Sequence, residues 1–145
     1  NYGYQRKKAY ENFHVENNLK LHPHYYQDSL KDTTLTGIEL TKKLLNLKNP
    51  PTAIICSLDK YFIGCLQECQ ERGLNIPKDI SIVGYNDHDN YLSSQNLTFI
   101  SHPLTEMGKM AVEILEKIEK GEQPSTLSQL IEPILNKGKS DGKIY

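Results

Sequence analysis

Two short apolar runs constrain this chain more than any other feature. Thr52-Ala53-Ile54-Ile55-Cys56 and Ile80-Ser81-Ile82-Val83-Gly84 are continuous rather than alternating. A strand with one wet face alternates polar and apolar side chains. A strand buried on both faces does not, and such strands belong to parallel sheets packed under helices.

Helical patterns surround both runs. The spacing predicts a first helix from Tyr4 to about Asn18, with Tyr10, Phe13 and His14 inward and Arg6, Lys7, Lys8 and Glu11 in water. A second, capped by Thr33 or Thr34, runs to about Leu47 on a stripe of Leu35, Ile38 and Leu45, until Asn49-Pro50-Pro51 stops it. A third follows Asp59, which can cap it, and ends where Gly73 supplies the left-handed residue after the last turn. The clearest helix begins near Pro103 and ends at Gly121. Its stripe is Leu104, Met107, Ala111, Ile114, Leu115 and Ile118, with Glu113–Lys117 and Glu116–Lys120 in the favourable order on its wet side. Short extended pieces are expected at His24-Tyr25-Tyr26, at Leu97 to Ser101 and at Leu127 to Leu135, where Pro133 suits an edge. Asn86 to Gln95 reads as a polar loop. Helices and strands that alternate with short links give an α/β fold: a doubly wound parallel sheet with helices on both faces.

Composition excludes several functions. A net charge of −1 provides no basic footprint for nucleic acid, so this segment alone is not expected to grip DNA. No apolar run approaches the ~20 residues of a membrane-spanning helix. Asn1-Tyr2-Gly3 does not resemble a natural start, and the chain reads as a piece of something longer. Three cysteines, Cys56, Cys65 and Cys69, are an odd count without a disulfide framework, which predicts buried free thiols and a reducing cytoplasm.

In an open parallel sheet, ligands sit beyond the C-terminal ends of the strands. Three loops leave such ends: Ser57-Leu58-Asp59, Tyr85-Asn86-Asp87-His88-Asp89, and the turn after Tyr25-Tyr26. Their short polar groups can hydrogen-bond hydroxyls, although Asp59 and Asn86-Asp87 could equally serve only to cap a helix and shape a turn. Catalysis finds no support. Ser57 and His102 lack the glycines of a nucleophile elbow, and His22-Pro23-His24 is no metal site by itself. Asp87-His88-Asp89 lacks the glycine and closing glutamate of a calcium loop, and no phosphate-cradling glycine loop exists. No cofactor and no metal are expected.

The middle of the chain resembles a known family. Pro51-Thr52-Ala53-Ile54-Ile55-Cys56-Ser57-Leu58-Asp59 is similar to the strand and helix start of lactose/galactose-type (LacI/GalR) repressors, with Gly64 at their helix glycine. The run from Glu71 to Asp87, through Gly73-Leu74, Ile76-Pro77, Asp79-Ile80-Ser81 and Val83-Gly84-Tyr85-Asn86-Asp87, resembles theirs almost position for position. Leu97-Thr98-Phe99-Ile100-Ser101-His102-Pro103, followed by Glu106-Met107-Gly108, resembles their hinge and following helix, and Arg6 to Tyr10 an earlier helix entry.

The resemblance implies a periplasmic-binding-protein-like core of type I, with two lobes holding a sugar or similar effector between them and a helix-turn-helix head that reads operator DNA. This chain would be the C-terminal part: residues 1–101 the lobe, 102–124 the hinge crossing and a helix packed on the N-terminal lobe, and 125–145 a return strand and tail. Carried over by position, the effector contacts are Arg6, Asn86 and His102, with Asp59 and Tyr25 as further candidates. The family's loop asparagine falls on Leu58 and its cleft aspartate on Asn86, so the hydrogen-bonding pattern toward the effector should differ. Tyr61, Phe62, Cys65, Leu66 and Cys69, with Tyr91 and Leu92, are expected to form a homodimer face. The helix from Leu104 to Lys120, without its lobe, should bury its stripe against a second copy or fray. An intact helix with an open stripe, or one buried in its own lobe, would count against the division at 101/102. The competing reading is the C-terminal lobe of a sugar-binding protein of an ABC transporter, which shares the two-lobe fold.

Overall fold

The computed structural model describes residues 2–85, 91–124 and 128–142. In chain order they form α1 (Tyr2–Glu16), a 3-10 turn (Pro23–Tyr25), α2 (Thr34–Leu45), β1 (Ala53–Ile55), α3 (Asp59–Glu71), β2 (Ser81–Tyr85), α4 (Tyr91–Ser94), β3 (Phe99–Ser101), α5 (Leu104–Glu119) and β4 (Ile134–Asn136). The strands make one sheet in the order β1-β2-β3-β4. The first two pairings are parallel, with Ile54 opposite Ile82 and Gly84 opposite Phe99. β4 runs antiparallel to β3, with Leu135 opposite Ile100. The apolar runs are thus strands of a mostly parallel sheet in an α/β fold.

Ile54, Ile82, Gly84 and Phe99 point to one face, where α2, α3 and Leu92 of α4 cover them. Phe62, Cys65, Cys69, Ile82 and Leu92 are wholly inaccessible to solvent. Each large apolar side chain sealed there is worth roughly 1.5–3 kcal/mol relative to exposure. The opposite face is less covered: Ile55 remains 67% exposed, so the continuous run at 52–56 is buried on one side only.

Two glycines set how closely α2 and α3 approach. A Cβ on Gly64 would lie 2.3 Å from the Thr34 carbonyl oxygen, and one on Gly37 would lie 2.7 Å from the Tyr61 Cα. Backbone therefore meets backbone, and α2 turns Thr36, Gly37, Leu40, Thr41 and Leu44 inward. That rotation leaves Leu35, expected in the buried stripe, 64% exposed. Thr33 caps α2, its side chain accepting from the Thr36 amide at 3.1 Å. At the far end of the pair Glu68, 2% exposed, accepts from Arg72 Nε at 2.6 Å and faces Lys42 Nζ at 3.5 Å.

Four helices end in the same two-bond motif, in which the residues just past the helix donate back to its last carbonyls. In α3 Leu74 donates to Cys69 and Gly73 to Gln70; in α5 Glu122 donates to Lys117 and Gly121 to Ile118. Gly73 and Gly121 have φ of 68° and 93°, as expected of the residues that end these helices. In α1 and α4 the left-handed position is taken by Asn18 and Asn96 instead.

Other expectations need correction. His24-Tyr25-Tyr26 is no strand: Pro23 starts a single 3-10 turn, closed by the Tyr25 amide donating to the His22 carbonyl. Asp59 does not cap α3. The cap position is Leu58, and the Asp59 carboxylate accepts from the next amide, Lys60, at 2.8 Å. Within the segment read as polar loop, Tyr91–Ser94 is helical because Leu92 drops into the core over Gly84. Helix α5 does not fray. It is continuous over 16 residues and none of them is buried, with Leu104 62% and Leu115 61% exposed. Its two-bond end and lysine–glutamate spacing act locally and need no neighbour. An intact helix with an open stripe is the outcome that weighs against a division at 101/102.

Candidate functional site

The inward stripe of α1 is largely polar: Tyr10 and His14 face in as the spacing predicts, but Phe13 faces out and Arg6, Lys7 and Glu11 face in, against the sequence expectation. Gly3, Arg6, Lys7, Tyr10, Glu11 and His14 recur at helical spacing as its half-buried residues, while Phe13 and Val15 are 56% and 74% exposed. A helix that turns charged and aromatic groups toward the body and apolar ones outward is not being held by a hydrophobic stripe. Its inner face meets polar groups at the strand ends.

Arg6 shows what they are. Its Nη1 donates to the Ser57 carbonyl, just past β1, at 2.8 Å, and its Cζ stands 4.0 Å from the centre of the Tyr85 ring at the end of β2. The Tyr85 hydroxyl in turn lies 3.2 Å from His102 Nε2, just past β3, with the two rings edge to face at 5.4 Å. The ends of β1, β2 and β3 and the inner face of α1 therefore converge on one cluster of Ser57, Tyr85, His102 and Arg6. That is the location the strand-end rule selects. The ring face and the carbonyl both hold the guanidinium, and the carbonyl uses one of its five N–H groups.

The structure brings Arg6 and His102 to opposite parts of the same tyrosine. Asn86, the next residue after Tyr85, lies outside the described residues, as do Asp87, His88 and Asp89. Tyr25 is turned elsewhere: its hydroxyl donates to the Asn49 carbonyl at 2.8 Å, and its ring packs on His22 at 4.9 Å. Asp59 is committed to the start of α3 and makes no described contact with Arg6. Tyr85 is the member that sequence reasoning did not single out, although its place at a strand end was the available signal.

Beside this cluster, one turn further along α1, Tyr10, His22 and Tyr26 enclose a small recess with Lys7 and Glu11. Lys7 lies 5.2 Å from the Tyr26 ring centre and 3.7 Å from Glu11. Burial holds both phenols above their ordinary range, helped by Tyr25 for Tyr10 and by Asp28 and Glu11 for Tyr26. A larger open groove runs along the first half of α5, lined by His102, Met110 and Ile134, and shares only His102 with the cluster.

The expected dimer face divides in two. Phe62, Cys65, Cys69 and Leu92 are fully buried within one chain and Tyr61 nearly so, because the close α2–α3 contact and the sheet already occupy them. They present no surface to a second copy. Tyr91, at 41% exposure, and the half-buried Leu66 are what remain. The Tyr61 hydroxyl instead donates to the Lys31 carbonyl at 2.8 Å, holding the loop before α2. Among the described residues no group of side chains could hold a metal ion, and no helix is long and apolar enough to cross a membrane.

Comparison with known proteins gives a consistent result. Residues 1–140 match the periplasmic binding protein-like domain family. The chain is 35% identical over 130 residues to the ribose operon repressor of Haemophilus influenzae, spanning 88% of this chain and 39% of that protein. It is 40% identical over 92 residues to the HTH-type transcriptional repressor PurR of Glaesserella parasuis, covering 61% of this chain and 27% of that one. Among solved structures, a regulatory protein of the LacI family from Chloroflexus aggregans superposes with a TM-score of 0.83 at 28% identity, over 94% of this chain and 50% of that chain. The chain thus spans between about a quarter and a half of the proteins it matches.

Proposed function

The chain belongs to the periplasmic binding protein-like domain family, where its relatives are LacI/GalR-type repressors, and from that premise we propose that it is the C-terminal part of an effector-binding core in a transcriptional regulator. The observation that carries the reading is the cluster of Arg6, Tyr85 and His102 at three neighbouring strand ends. In this proposal Arg6 forks onto the effector, His102 adds a second polar group at the crossing to the other lobe, and Asn86 completes the rim. Likeness to a ribose operon repressor supports a sugar as the effector class. The regulator is cytoplasmic, is no enzyme, pairs as a homodimer in which Leu66 and Tyr91 take part, and contacts operator DNA through a head outside this chain. Residues 102–124 pack on the other lobe. The intact helix weighs against that division, but α5 is held by local bonds and has no buried residue of its own, which supports a host elsewhere. The transporter reading is not favoured, because the relatives matched are repressors.

Thermal unfolding of the full-length regulator with a panel of mono- and oligosaccharides tests this. A ligand that binds only the folded state stabilises it by about 2.7 kcal/mol at a hundred times its Kd. At least one sugar should raise the melting temperature in a concentration-dependent way, and Arg6→Ala should abolish the rise. A full panel without any shift would overturn the sugar-effector reading.

A further inference from the structure

We propose that Asn136 is a positioning residue for the effector site: from the return strand it fixes the exit of β3 and, through it, the place of His102. This goes beyond the effector reading above and rests on it. β4 is three residues long, lies at the edge of the sheet and leaves Ile134 and Leu135 48% and 57% exposed. Apolar burial therefore does not pin it. The segment that follows does, because after Asn136 the chain runs between β2 and the residues entering β3. The Ile82 amide donates to the Ser140 carbonyl at 2.7 Å, and the buried Ser140 hydroxyl donates to the Ile82 carbonyl at 2.7 Å while accepting from the Thr98 amide at 2.8 Å. The Gly138 amide donates to Thr98 Oγ1 at 2.9 Å and the Lys139 amide to the Asn96 carbonyl at 2.7 Å. Gly138 is pressed so close that a Cβ there would lie 2.3 Å from the Asn96 carbonyl oxygen. Residues 138–140 cannot slide, and Asn136, two residues before them, is a fixed point.

That fixed point holds the last residue of β3. Asn136 is paired with Phe99 and Ile134 with Ser101, so Asn136 and Ser101 are diagonal neighbours on one face. Such neighbours are about 7–8 Å apart, within reach of a side chain that spans the gap. Asn136 Nδ2 donates to Ser101 Oγ at 2.8 Å, and both residues are half-buried. The β3 ladder ends at Ser101, and the next residue is His102, whose Nε2 lies 3.2 Å from the Tyr85 hydroxyl. The end of a ladder opens more readily than its middle. Here the Asn136 amide clamps that end to a strand anchored from behind. The same tail is bonded to β2, which delivers Tyr85, and to Thr98, just before the strand that delivers His102. It therefore sets the spacing of two strands whose ends meet in the cluster.

Asn136→Ala, Ser101→Ala, their double variant and Leu135→Ala in the full-length regulator carry the test. Magnetic resonance of ring-labelled histidines gives a signal for His102, assigned by its loss in His102→Gln. Asn136→Ala and Ser101→Ala should each move that signal and leave those of His14 and His22 in place. The double variant should move it no further than either alone, since both remove one bond. Leu135→Ala loosens the same strand without touching that bond and should leave His102 where it is. In calorimetric titration with D-ribose, Asn136→Ala should raise Kd roughly two- to tenfold, as for one hydrogen bond. The rise should vanish in a His102→Ala background. An unmoved His102 signal in folded Asn136→Ala protein overturns the inference; should that variant not fold, Ser101→Ala removes the same bond and is read the same way. Equal movement in Leu135→Ala also overturns it, because β4 would then be a structural prop and no more. So does a ribose penalty that persists in full without the His102 ring. If D-ribose does not bind the parent, the ring signals still decide whether Asn136 places His102, and the sugar panel judges the effector reading separately.

Discussion

Gly64→Ala is the substitution whose outcome the packing fixes most tightly. In an isolated helix the change favours the helix by about 0.8–1 kcal/mol, since glycine loses more backbone freedom. Here the new methyl would meet the Thr34 carbonyl oxygen at 2.3 Å, the Ile38 amide nitrogen at 2.7 Å and the Gly37 carbonyl carbon at 2.9 Å. All three are backbone atoms, so no side chain can swing aside. Relief requires α2 to retreat, which loosens Leu40, Thr41 and Leu44 from Cys65 and Cys69. Overpacking of this kind costs about 1–3 kcal/mol, and a contact with rigid backbone lies at the upper end. The two effects oppose, and the clash wins, for a net loss of about 1–2 kcal/mol. Gly108, in the middle of α5, is the matched control, because a methyl added there would have nothing within 4 Å. There alanine should stabilise by about 0.5–1 kcal/mol. Urea unfolding of both variants beside the parent gives the comparison, read as midpoint shifts at constant slope. A Gly64→Ala midpoint at or above the parent's would refute the close α2–α3 contact.

Four further outcomes follow from contacts elsewhere in the fold. Burial and hydrogen bonding within the thiol group raise Cys65 and Cys69, through Cys56 first for Cys65 and through Cys65 first for Cys69, so a thiol reagent at pH 8 should label neither until urea is added; rapid native labelling would refute this. Asp141 is held below its ordinary range by Lys137 first and Thr98 second, so its contribution is present above the unfolded carboxylate range near pH 4 and lost as pH falls through the lower folded value; Asp141→Asn should cost about 1 kcal/mol at pH 7, with the gap to the parent closing in acid, and an equal gap at pH 7 and pH 2 would contradict it. Phe62→Ala should cost about 3–5 kcal/mol of folding stability, as for a fully buried ring, while Leu66→Glu with Tyr91→Glu should weaken self-association in sedimentation and leave the unfolding midpoint within about 1 kcal/mol of the parent; an unchanged dimer would defeat the assignment of those two residues.

What could be read from the sequence, and what could not, divides along a physical line. The apolar runs at 52–56 and 80–84, the extent of α5 and the two closing glycines follow from local chemistry, and the structure has them where the pattern puts them. The errors lie where a residue's environment depends on a distant partner. Leu35 resembles a core residue by spacing, but the Gly37–Gly64 approach decides which side of α2 faces in. Ser140 carries no signal at all in a Gly/Lys-rich tail, yet it is buried, because its hydroxyl bridges β2 and the start of β3 by donating to the Ile82 carbonyl at 2.7 Å and accepting from the Thr98 amide at 2.8 Å. Helix α1 is the instructive case. The usual rule sends its apolar residues inward, and the structure keeps Tyr10 and His14 there but turns Phe13 out and Arg6, Lys7 and Glu11 in. Apolar periodicity measures what a core requires of a helix. Where the helix faces polar strand ends, the requirement changes, and Arg6, Lys7, Tyr10 and Glu11 at spacings of one, three and four were the pattern to follow. The same spacing puts Arg6 over Tyr85, so the feature that makes α1 hard to orient from sequence is the one that builds the site.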